Sequence, residues 1–144
     1  MIKKIFLSFL LTSTIATINA QEWHTDFKLA KEIASKEHKN LILVFQGSDW
    51  CGPCIKLDKE IWSQEEFKAY AKNNFVMVKV DFPKRKINKL TAKQQEKNYQ
   101  LSEIYNKQGF LPRVIILNEN GKVLGETGYK KMTPKKYIKL LASF

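Results

Sequence analysis

The sequence predicts an α/β fold in which a mixed central β-sheet is flanked by helices on both faces. Short apolar runs alternate along the chain with longer segments whose apolar residues recur at helical spacing. Two strand-like runs near the C-terminal end are joined by Asn118–Gly121, whose final Asn-Gly is typical of a tight hairpin. Parallel strands joined by helical crossovers, together with an antiparallel hairpin, give a mixed sheet between helices.

The first half of the chain is predicted to run helix, strand, helix, strand. The predicted elements are a helix over 26–38, a strand over 41–45, a helix over 51–62 and a strand over 75–81. The run at 41–45 is continuously apolar, as in a strand that is covered on both faces. Ser63 followed by Glu66 predicts a capping box that restarts the helix toward Tyr70.

The second half is predicted to run helix, hairpin, helix. Thr91 with Gln94 predicts the cap of the third helix, which we expect to end at Gly109. The buried stripe of this helix is predicted to contain Leu101, Ile104 and Tyr105. The remaining elements are strands over 114–117 and 123–126 and a last helix that begins at Thr133-Pro134 and buries Tyr137, Ile138, Leu140 and Leu141.

The N-terminus has the pattern of an export signal. Two lysines precede a short apolar stretch over 5–11, which fades through Thr and Ser toward Ala20. This stretch is shorter than the roughly 20 residues that a membrane span needs. We interpret residues 1–20 as a cleavable signal peptide, with cleavage after Ala16 as the alternative, and residues 21–144 as one domain. The protein is therefore expected to be periplasmic or secreted.

Composition and charge narrow the possible functions. A chain of 144 residues with 44% apolar residues is long and apolar enough for one folded domain, which argues against intrinsic disorder. The net charge is +11, and the cations form two clusters: Lys84-Arg85-Lys86 with Lys89, and Lys130, Lys131, Lys135, Lys136 and Lys139. We interpret both clusters as solvated surface, with acidic clients or an anionic envelope surface as alternatives. Export, and the lack of aromatic residues between the charges, argue against a nucleic-acid partner.

Cys51 and Cys54 are the only cysteines in the chain. At a strand-to-helix junction, their spacing is typical of a pair that cycles between dithiol and disulfide. A purely structural bridge is disfavoured because such a short loop removes little entropy from the unfolded chain. A zinc site needs about four ligands, and His24 and His38 do not stand at ligand spacing. We expect neither a metal nor a cofactor.

Three motifs occupy characteristic places in this order of elements. Trp50-Cys51-Gly52-Pro53-Cys54 directly follows a central strand, Leu111-Pro112 directly precedes the strand that enters the hairpin, and Gly125–Gly128 closes the hairpin. With these motifs the chain resembles the thioredoxin family over nearly all of residues 21–144. The Gly47–Trp50 lead-in is similar to that of exported, thioredoxin-like proteins of bacterial envelopes. The resemblance implies a thioredoxin-like fold and a thiol–disulfide oxidoreductase with a redox-active disulfide.

The residues of the Cys-Gly-Pro-Cys motif have separate predicted roles. The N-terminus of a helix stabilises a thiolate through its unsatisfied N–H groups and its partial positive charge. Cys51 is therefore predicted to be the exposed nucleophile, and Cys54, one turn further along, the shielded resolving thiol. Pro53 restrains the pair, and Gly52 allows a client backbone to approach closely.

Two more positions are predicted to contact the client. In the thioredoxin family the proline that Pro112 matches is cis and faces the cysteines, which would leave the backbone of Leu111 free to pair with an extended client segment. An ordinary proline at the start of a strand is the alternative. Trp50 either shapes the client groove or packs in the core.

The chain departs from the family at one position of chemical importance. Thioredoxins carry a buried Asp six residues before the first cysteine, where this chain has Phe45. In the family that carboxylate assists proton transfer at the second cysteine. Lys79 matches the lysine that neighbours it, and Asp49 or Asp81 are candidates to take over the proton transfer, as is a water molecule.

The predicted function is that of an exported thiol–disulfide oxidoreductase acting mainly as a protein-disulfide reductase. Gly-Pro between the cysteines is similar to reducing thioredoxins, and potentials in such proteins run from roughly −270 to −120 mV. A disulfide oxidase or isomerase is one alternative, and a non-catalytic binding module with a static disulfide is another. The expected partners are client proteins with disulfides and a dithiol electron donor, which the membrane could hold. We expect a monomer.

Overall fold

The computed structural model describes residues 21–144. The predicted signal peptide over residues 1–20 lies outside the described residues. Within the described range, none of the helices combines the length and the apolar character that crossing a bilayer requires.

The described residues form five strands and five α-helices. The strands are β1 (Trp23–His24), β2 (Asn40–Gln46), β3 (Phe75–Asp81), β4 (Arg113–Leu117) and β5 (Val123–Thr127). The α-helices are α1 (Phe27–Glu37), α2 (Gly52–Leu57), α3 (Glu65–Asn74), α4 (Ala92–Tyr105) and α5 (Pro134–Ala142). A π-helical turn over Asp58–Trp62 continues α2, and a 3-10 turn over Lys86–Asn88 precedes α4.

The strands form one five-stranded mixed sheet in the order β1-β3-β2-β4-β5. β2 lies near the middle and pairs in parallel with β3 and antiparallel with β4. β4 and β5 form the predicted antiparallel hairpin, and Gly121 adopts a φ of 82° in its turn. A left-handed φ of this kind favours glycine because it lacks a Cβ. The predicted α/β fold with a mixed central sheet is confirmed.

Each face of the sheet carries its own core because side chains alternate along a strand. Ile42 and Val44 pack with residues of α2, the π-helical turn and α5, including the buried Trp62 and Tyr137. On the opposite face, residues of β2 pack with α1 and α4 in a cluster that includes Leu41, Leu43, Phe45, Ala30, Ala34 and Leu101. Helices therefore cover both faces, which explains the continuous apolar run of β2.

Helices α1, α4 and α5 begin with a side-chain cap, and the caps at Thr91 and Thr133 are those predicted from the sequence. Asp26, Thr91 and Thr133 each accept a backbone N–H three residues further along, as N-cap residues do. The capping box at Ser63 and Glu66 is wrong, because α3 begins at Glu65 without a side-chain cap. The N–H of Ser63 instead donates to the carbonyl of Asp58 at 2.8 Å and so closes the π-helical turn.

The predicted stripe of α4 needs correction. Leu101 is 8% exposed, whereas Ile104 is 65% exposed and lies on the solvent side. The buried stripe includes Asn98, whose side-chain amide donates to the carbonyl of Asp81 at 2.9 Å and accepts from Gln94 at 2.9 Å. A polar residue is tolerated there because its hydrogen bonds are satisfied. The helix also ends at Tyr105, before Gly109.

Strand β1 was not predicted from the sequence. Trp23 and His24 pair in parallel with Met77 and Val78 of β3. Two residues are too short to show the alternation that reveals a strand. His24 is consequently a largely buried strand residue, and the side chain of Trp23 packs edge-on against Trp62 at 6.0 Å.

The corrected placement of α4 predicts that truncating two apolar residues three positions apart changes the stability of the fold by very different amounts. Leu101→Ala should lower the free energy of unfolding by about 2–5 kcal/mol, because it opens a cavity beneath α4. Ile104→Ala should change it by less than about 0.5 kcal/mol, because the side chain is in solvent. Urea unfolding of both variants measures the difference, and equal losses would contradict the placement of α4.

Candidate active site

The two cysteines lie where strand β2 passes into helix α2. The N–H of Cys51 donates to the carbonyl of Gly47 at 2.9 Å, which closes a short turn after the strand. Cys51 is the N-cap residue of α2, and its Sγ accepts the N–H of Cys54 at 3.3 Å. Pro53 lies in the first turn, where its missing N–H costs no helical hydrogen bond. The sulfur of Cys51 therefore lies at a helix N-terminus.

Cys51 and Cys54 are joined as a disulfide, with their Cα atoms 5.2 Å apart. In this oxidised state the two residues are almost equally covered, since Cys51 is 6% exposed and Cys54 is 3% exposed. The predicted contrast between an exposed and a shielded cysteine is thus small. Each sulfur is bonded to the other, which removes part of the surface that a free thiol would present.

Pro112 lies at the same end of the sheet as the disulfide. Phe45, near the end of β2, pairs with Arg113, the first residue of β4. The peptide bond between Leu111 and Pro112 is cis. A Cβ on Gly128 would come within 3.1 Å of the Pro112 carbonyl oxygen, so this position suits a residue without a side chain.

A buried asparagine shapes the loop before Pro112. Asn106 is the C-cap residue of α4, and its side-chain amide donates to the carbonyl of Phe110 at 2.8 Å. Its Oδ1 accepts the N–H of Phe110 at 3.1 Å. This role was not predicted from the sequence, because a helix that ends at Gly109 would place Asn106 inside its last turn.

Trp50 lies at the rim of the site and is 43% exposed. A Cβ on Gly47 would come within 2.5 Å of its indole ring, so the ring covers the glycine directly. Its Nε1–H donates to the carbonyl of Phe82 at 2.7 Å. The prediction left open whether Trp50 shapes the groove or packs in the core, and this partial exposure places it at the surface.

Asp49 and Asp81 hold backbone segments together. Both oxygens of Asp81 accept from Ser48, one from its N–H at 2.9 Å and one from its hydroxyl at 2.5 Å. Asp49 accepts the backbone N–H groups of Lys84 and Arg85, each at 2.9 Å, and the side-chain amide of Asn88. The N–H of Lys84, followed by the Asn88 amide, holds the pKa of Asp49 below its usual value.

Phe45 and Lys79 have different surroundings. Phe45 is fully buried in the core on the α1 and α4 side, with Leu111 packed against this core. The ammonium group of Lys79 lies 4.9 Å from the centre of the Trp23 ring, a cation–π contact. A role in proton transfer for Lys79, Asp49 or Asp81 stays a prediction.

A pocket of about 350 Å³ lies beside Trp50. We define the basic pocket by six of its lining residues: Trp50, Lys84, Arg85, Lys86, Lys89 and Tyr99. Across residues 21–144, no group of three or more His, Cys, Asp or Glu side chains is arranged to hold a metal ion. The basic pocket thus combines cations with aromatic rings, one of which belongs to the residue that precedes Cys51.

The comparisons with known proteins agree with this geometry. A family model described as a thioredoxin-like domain matches residues 27–144. The chain is 35% identical over 132 residues to the disulfide bond reductase DsbH of Chlamydia pneumoniae, which covers 92% of this chain and 76% of that protein. The solved structure of a DsbH oxidoreductase superimposes with a TM-score of 0.78 at 31% identity, over 92% of this chain and 90% of that one.

A second solved structure, the disulphide isomerase from Xylella fastidiosa Temecula1, superimposes with a TM-score of 0.60 at 27% identity, over 81% of this chain and 86% of that one. Together these matches define a class of protein with a thioredoxin fold and a Cys-x-x-Cys pair. The chain belongs to the thioredoxin-like family and is a thiol–disulfide oxidoreductase. The predicted resemblance is confirmed.

Replacing each of two glycines near the disulfide by alanine is predicted to affect stability very differently. Gly47→Ala should destabilise the fold by about 1–3 kcal/mol, because its Cβ would displace the Trp50 indole and break the bond to Phe82. Gly52→Ala should leave stability within about 0.5 kcal/mol of the wild type, since a Cβ there meets nothing within 4 Å. Denaturant unfolding followed by circular dichroism measures both. Equal stability of the two variants would show that Trp50 does not rest on Gly47.

Proposed function

We propose that the protein is an exported protein-disulfide reductase in which Cys51 attacks and Cys54 resolves. The observation that carries the proposal is the position of the Cys51 sulfur at the N-cap of α2, at the same end of the sheet as Pro112. The helical segment behind this sulfur runs on through the π-helical turn to Trp62. Its N-terminal N–H groups favour the thiolate over the thiol in the reduced enzyme.

The reaction proceeds in two exchanges. The Cys51 thiolate attacks one sulfur of a client disulfide, forms a mixed disulfide and releases the other client sulfur as a thiolate. The Cys54 thiolate then attacks the Cys51 sulfur, re-forms the Cys51–Cys54 disulfide and releases the second client sulfur. Two electrons pass from the enzyme dithiol to the client disulfide. A second dithiol, in a soluble protein or a membrane electron carrier, must then reduce the enzyme again.

Exposed apolar side chains near the disulfide support a role in client binding. Trp50 and Ile55 flank the Cys-Gly-Pro-Cys segment in the sequence, and Phe110 stands directly before Leu111-Pro112. All three are exposed large hydrophobic residues. A client strand that pairs with the Leu111 backbone would cover such side chains, as in recognition by strand addition. Gly52 leaves open space beside the sulfur for this approach.

Different observations support the two parts of the proposal, the reducing direction and the export. Gly52 and Pro53 between the cysteines favour a reducing potential, and the relative from Chlamydia pneumoniae is named a disulfide bond reductase. Export is supported by the lysines and the apolar stretch at the N-terminus. In the periplasm the pair would be oxidised unless a donor reduced it. The proposal therefore includes such a donor.

A disulfide isomerase is the second candidate function. It is favoured by the match to the disulphide isomerase from Xylella fastidiosa Temecula1 at 27% identity. An isomerase uses the same nucleophile but must release rearranged clients before Cys54 resolves the mixed disulfide. The two candidates therefore differ in the potential of the pair and in how much they depend on Cys54.

The test is insulin reduction with dithiothreitol as donor, together with the equilibrium potential against glutathione. We expect the wild type to reduce insulin and to have a potential nearer about −270 mV than −120 mV. Cys51→Ser should abolish the activity because the nucleophile is lost. Cys54→Ser should accumulate a mixed disulfide that mass spectrometry detects, because nothing resolves it.

Two results would contradict the reductase. A potential near the oxidising limit would assign the pair to client oxidation. Full activity of Cys54→Ser on scrambled ribonuclease, combined with weak insulin reduction by the wild type, would favour the isomerase.

A further inference from the structure

We infer that the basic pocket binds carboxylate side chains that flank the disulfide of a protein client, so that the enzyme prefers acidic clients. The inference rests on the proposed function, because it names the class of client that reaches Cys51. It assigns a role to the cations of residues 84–89, which the sequence predicted to be solvated surface, with acidic clients or an anionic envelope surface as alternatives.

The position of the pocket links it to the redox centre. Trp50 lines the pocket and directly precedes Cys51 in the sequence. We therefore expect a client whose sulfur reaches Cys51 to bring its neighbouring residues past Trp50 and toward the pocket. The volume of about 350 Å³ is at the lower end for small-molecule sites, enough for a few side chains and not for a folded element.

Within the described residues the cations of the pocket form no salt bridge, although Arg85 and Asp49 attract each other electrostatically. Among residues 21–144, none of Lys84, Arg85, Lys86 and Lys89 forms an ion pair. Other lysines of the described chain do: Lys39 with Glu37, Lys68 with Glu65, and Lys97 with Asp26. Unpaired cations around a concavity produce a positive potential that attracts an anionic ligand and directs its approach.

Two carboxylates lie close to these cations and do not neutralise them by direct pairing. Asp81 lines the pocket, but both its oxygens accept from Ser48. Asp49 accepts two backbone N–H groups and the Asn88 amide. Asp49 therefore fixes the backbone that carries Lys84 and Arg85, and Asp81 fixes the active-site turn at Ser48.

The pocket is held in place before any ligand binds. Asp49 accepts the backbone N–H groups of Lys84 and Arg85 and so links them to the active-site turn. The Trp50 indole N–H donates a hydrogen bond to the carbonyl of Phe82. The Lys84 ammonium lies 3.7 Å from the centre of the Trp50 ring. The rings of Phe82 and Tyr99, which also line the pocket, pack against each other with their centres 5.4 Å apart. A preorganised site loses less entropy when it binds.

The chemistry of the lining favours a peptide segment over a bare anion. Trp50 and Tyr99 present exposed ring surface beside the cations. A segment with carboxylates next to apolar or aliphatic side-chain stems satisfies both kinds of surface. A protein disulfide is the substrate of the proposed reaction, so the segment that enters is the one that flanks the client cysteine.

The test compares three short peptides that differ only beside their single disulfide, which is flanked by Glu, by Gln or by Lys. We expect the wild type to reduce the Glu peptide with a kcat/KM about tenfold above that of the Gln peptide, the size expected for a few exposed ion pairs. Most of the difference should lie in KM, and added salt should weaken it. The Lys peptide should be the poorest substrate.

Two triple variants with the same change of charge separate local recognition from the general field of a basic protein. Arg85→Gln, Lys86→Gln and Lys89→Gln together should bring the ratio of Glu to Gln peptide to about one. Lys84 is retained because it packs on Trp50. The matched control is Lys36→Gln, Lys122→Gln and Lys139→Gln, whose residues lie in the last turn of α1, in the hairpin loop and in the last turn of α5. The control should keep the tenfold preference.

A binding measurement makes the inference independent of turnover. Labelled peptides with both cysteines replaced by Ser cannot exchange disulfides, so fluorescence anisotropy reports binding alone. The Glu version should bind the wild type and the control variant about tenfold more tightly than it binds the pocket variant. This holds even if the insulin test rejects the reductase, so the two failures are distinguishable.

Three outcomes would overturn the inference. The Glu preference could survive in the pocket variant, which would show that the pocket cations do not cause it. The control variant could lose the preference equally, which would assign it to net charge. Single-stranded oligothymidylate could bind as tightly as the Glu peptide and with the same dependence on Arg85, Lys86 and Lys89, which would make the pocket a general polyanion site.

Discussion

The N-cap position of Cys51 is the constraint on which the rest of the site depends. Strand β2 is paired on both sides within the sheet, and the turn that follows it closes on the carbonyl of Gly47. Helix α2 then begins at once, so the sulfur of Cys51 meets the N–H of Cys54. The redox pair is thus placed by backbone geometry. The reactivity of the pair depends on the N-terminus of α2. The packing of α2 against one face of the sheet determines the direction of this helix.

The same turn organises the surface around the sulfur. Ser48, Asp49 and Trp50 are consecutive, and each makes a hydrogen bond through its side chain to the segment 81–88. The segment that carries the basic pocket is therefore tied to the residues that lead into Cys51. This arrangement gives a physical reason why recognition of charge and exchange of disulfides occur side by side. It also explains why Gly47 is needed, because the Trp50 ring occupies the space of a side chain.

The long elements and the redox pair were predictable from sequence, since β2 contains a continuous apolar run, β3 is rich in β-branched residues, and the cysteine spacing is specific. The remaining features depend on tertiary partners. Strand β1 is too short to show periodicity, and the buried Asn98 and Asn106 look like surface residues until their backbone partners are seen. The carboxylate of Asp49 is likewise placed by contacts more than thirty residues away in the sequence.

The most direct test of the central claim is the alkylation rate of each cysteine in the reduced protein at pH 7 and pH 9, followed by mass spectrometry. If the helix N-terminus holds Cys51 as a thiolate near neutral pH, its rate should exceed that of Cys54 and rise by less than about threefold between the two pH values. An ordinary thiol with a pKa of about 8.5 would gain more than about tenfold over the same interval. A gain of that size at Cys51, or faster alkylation of Cys54, would contradict the account.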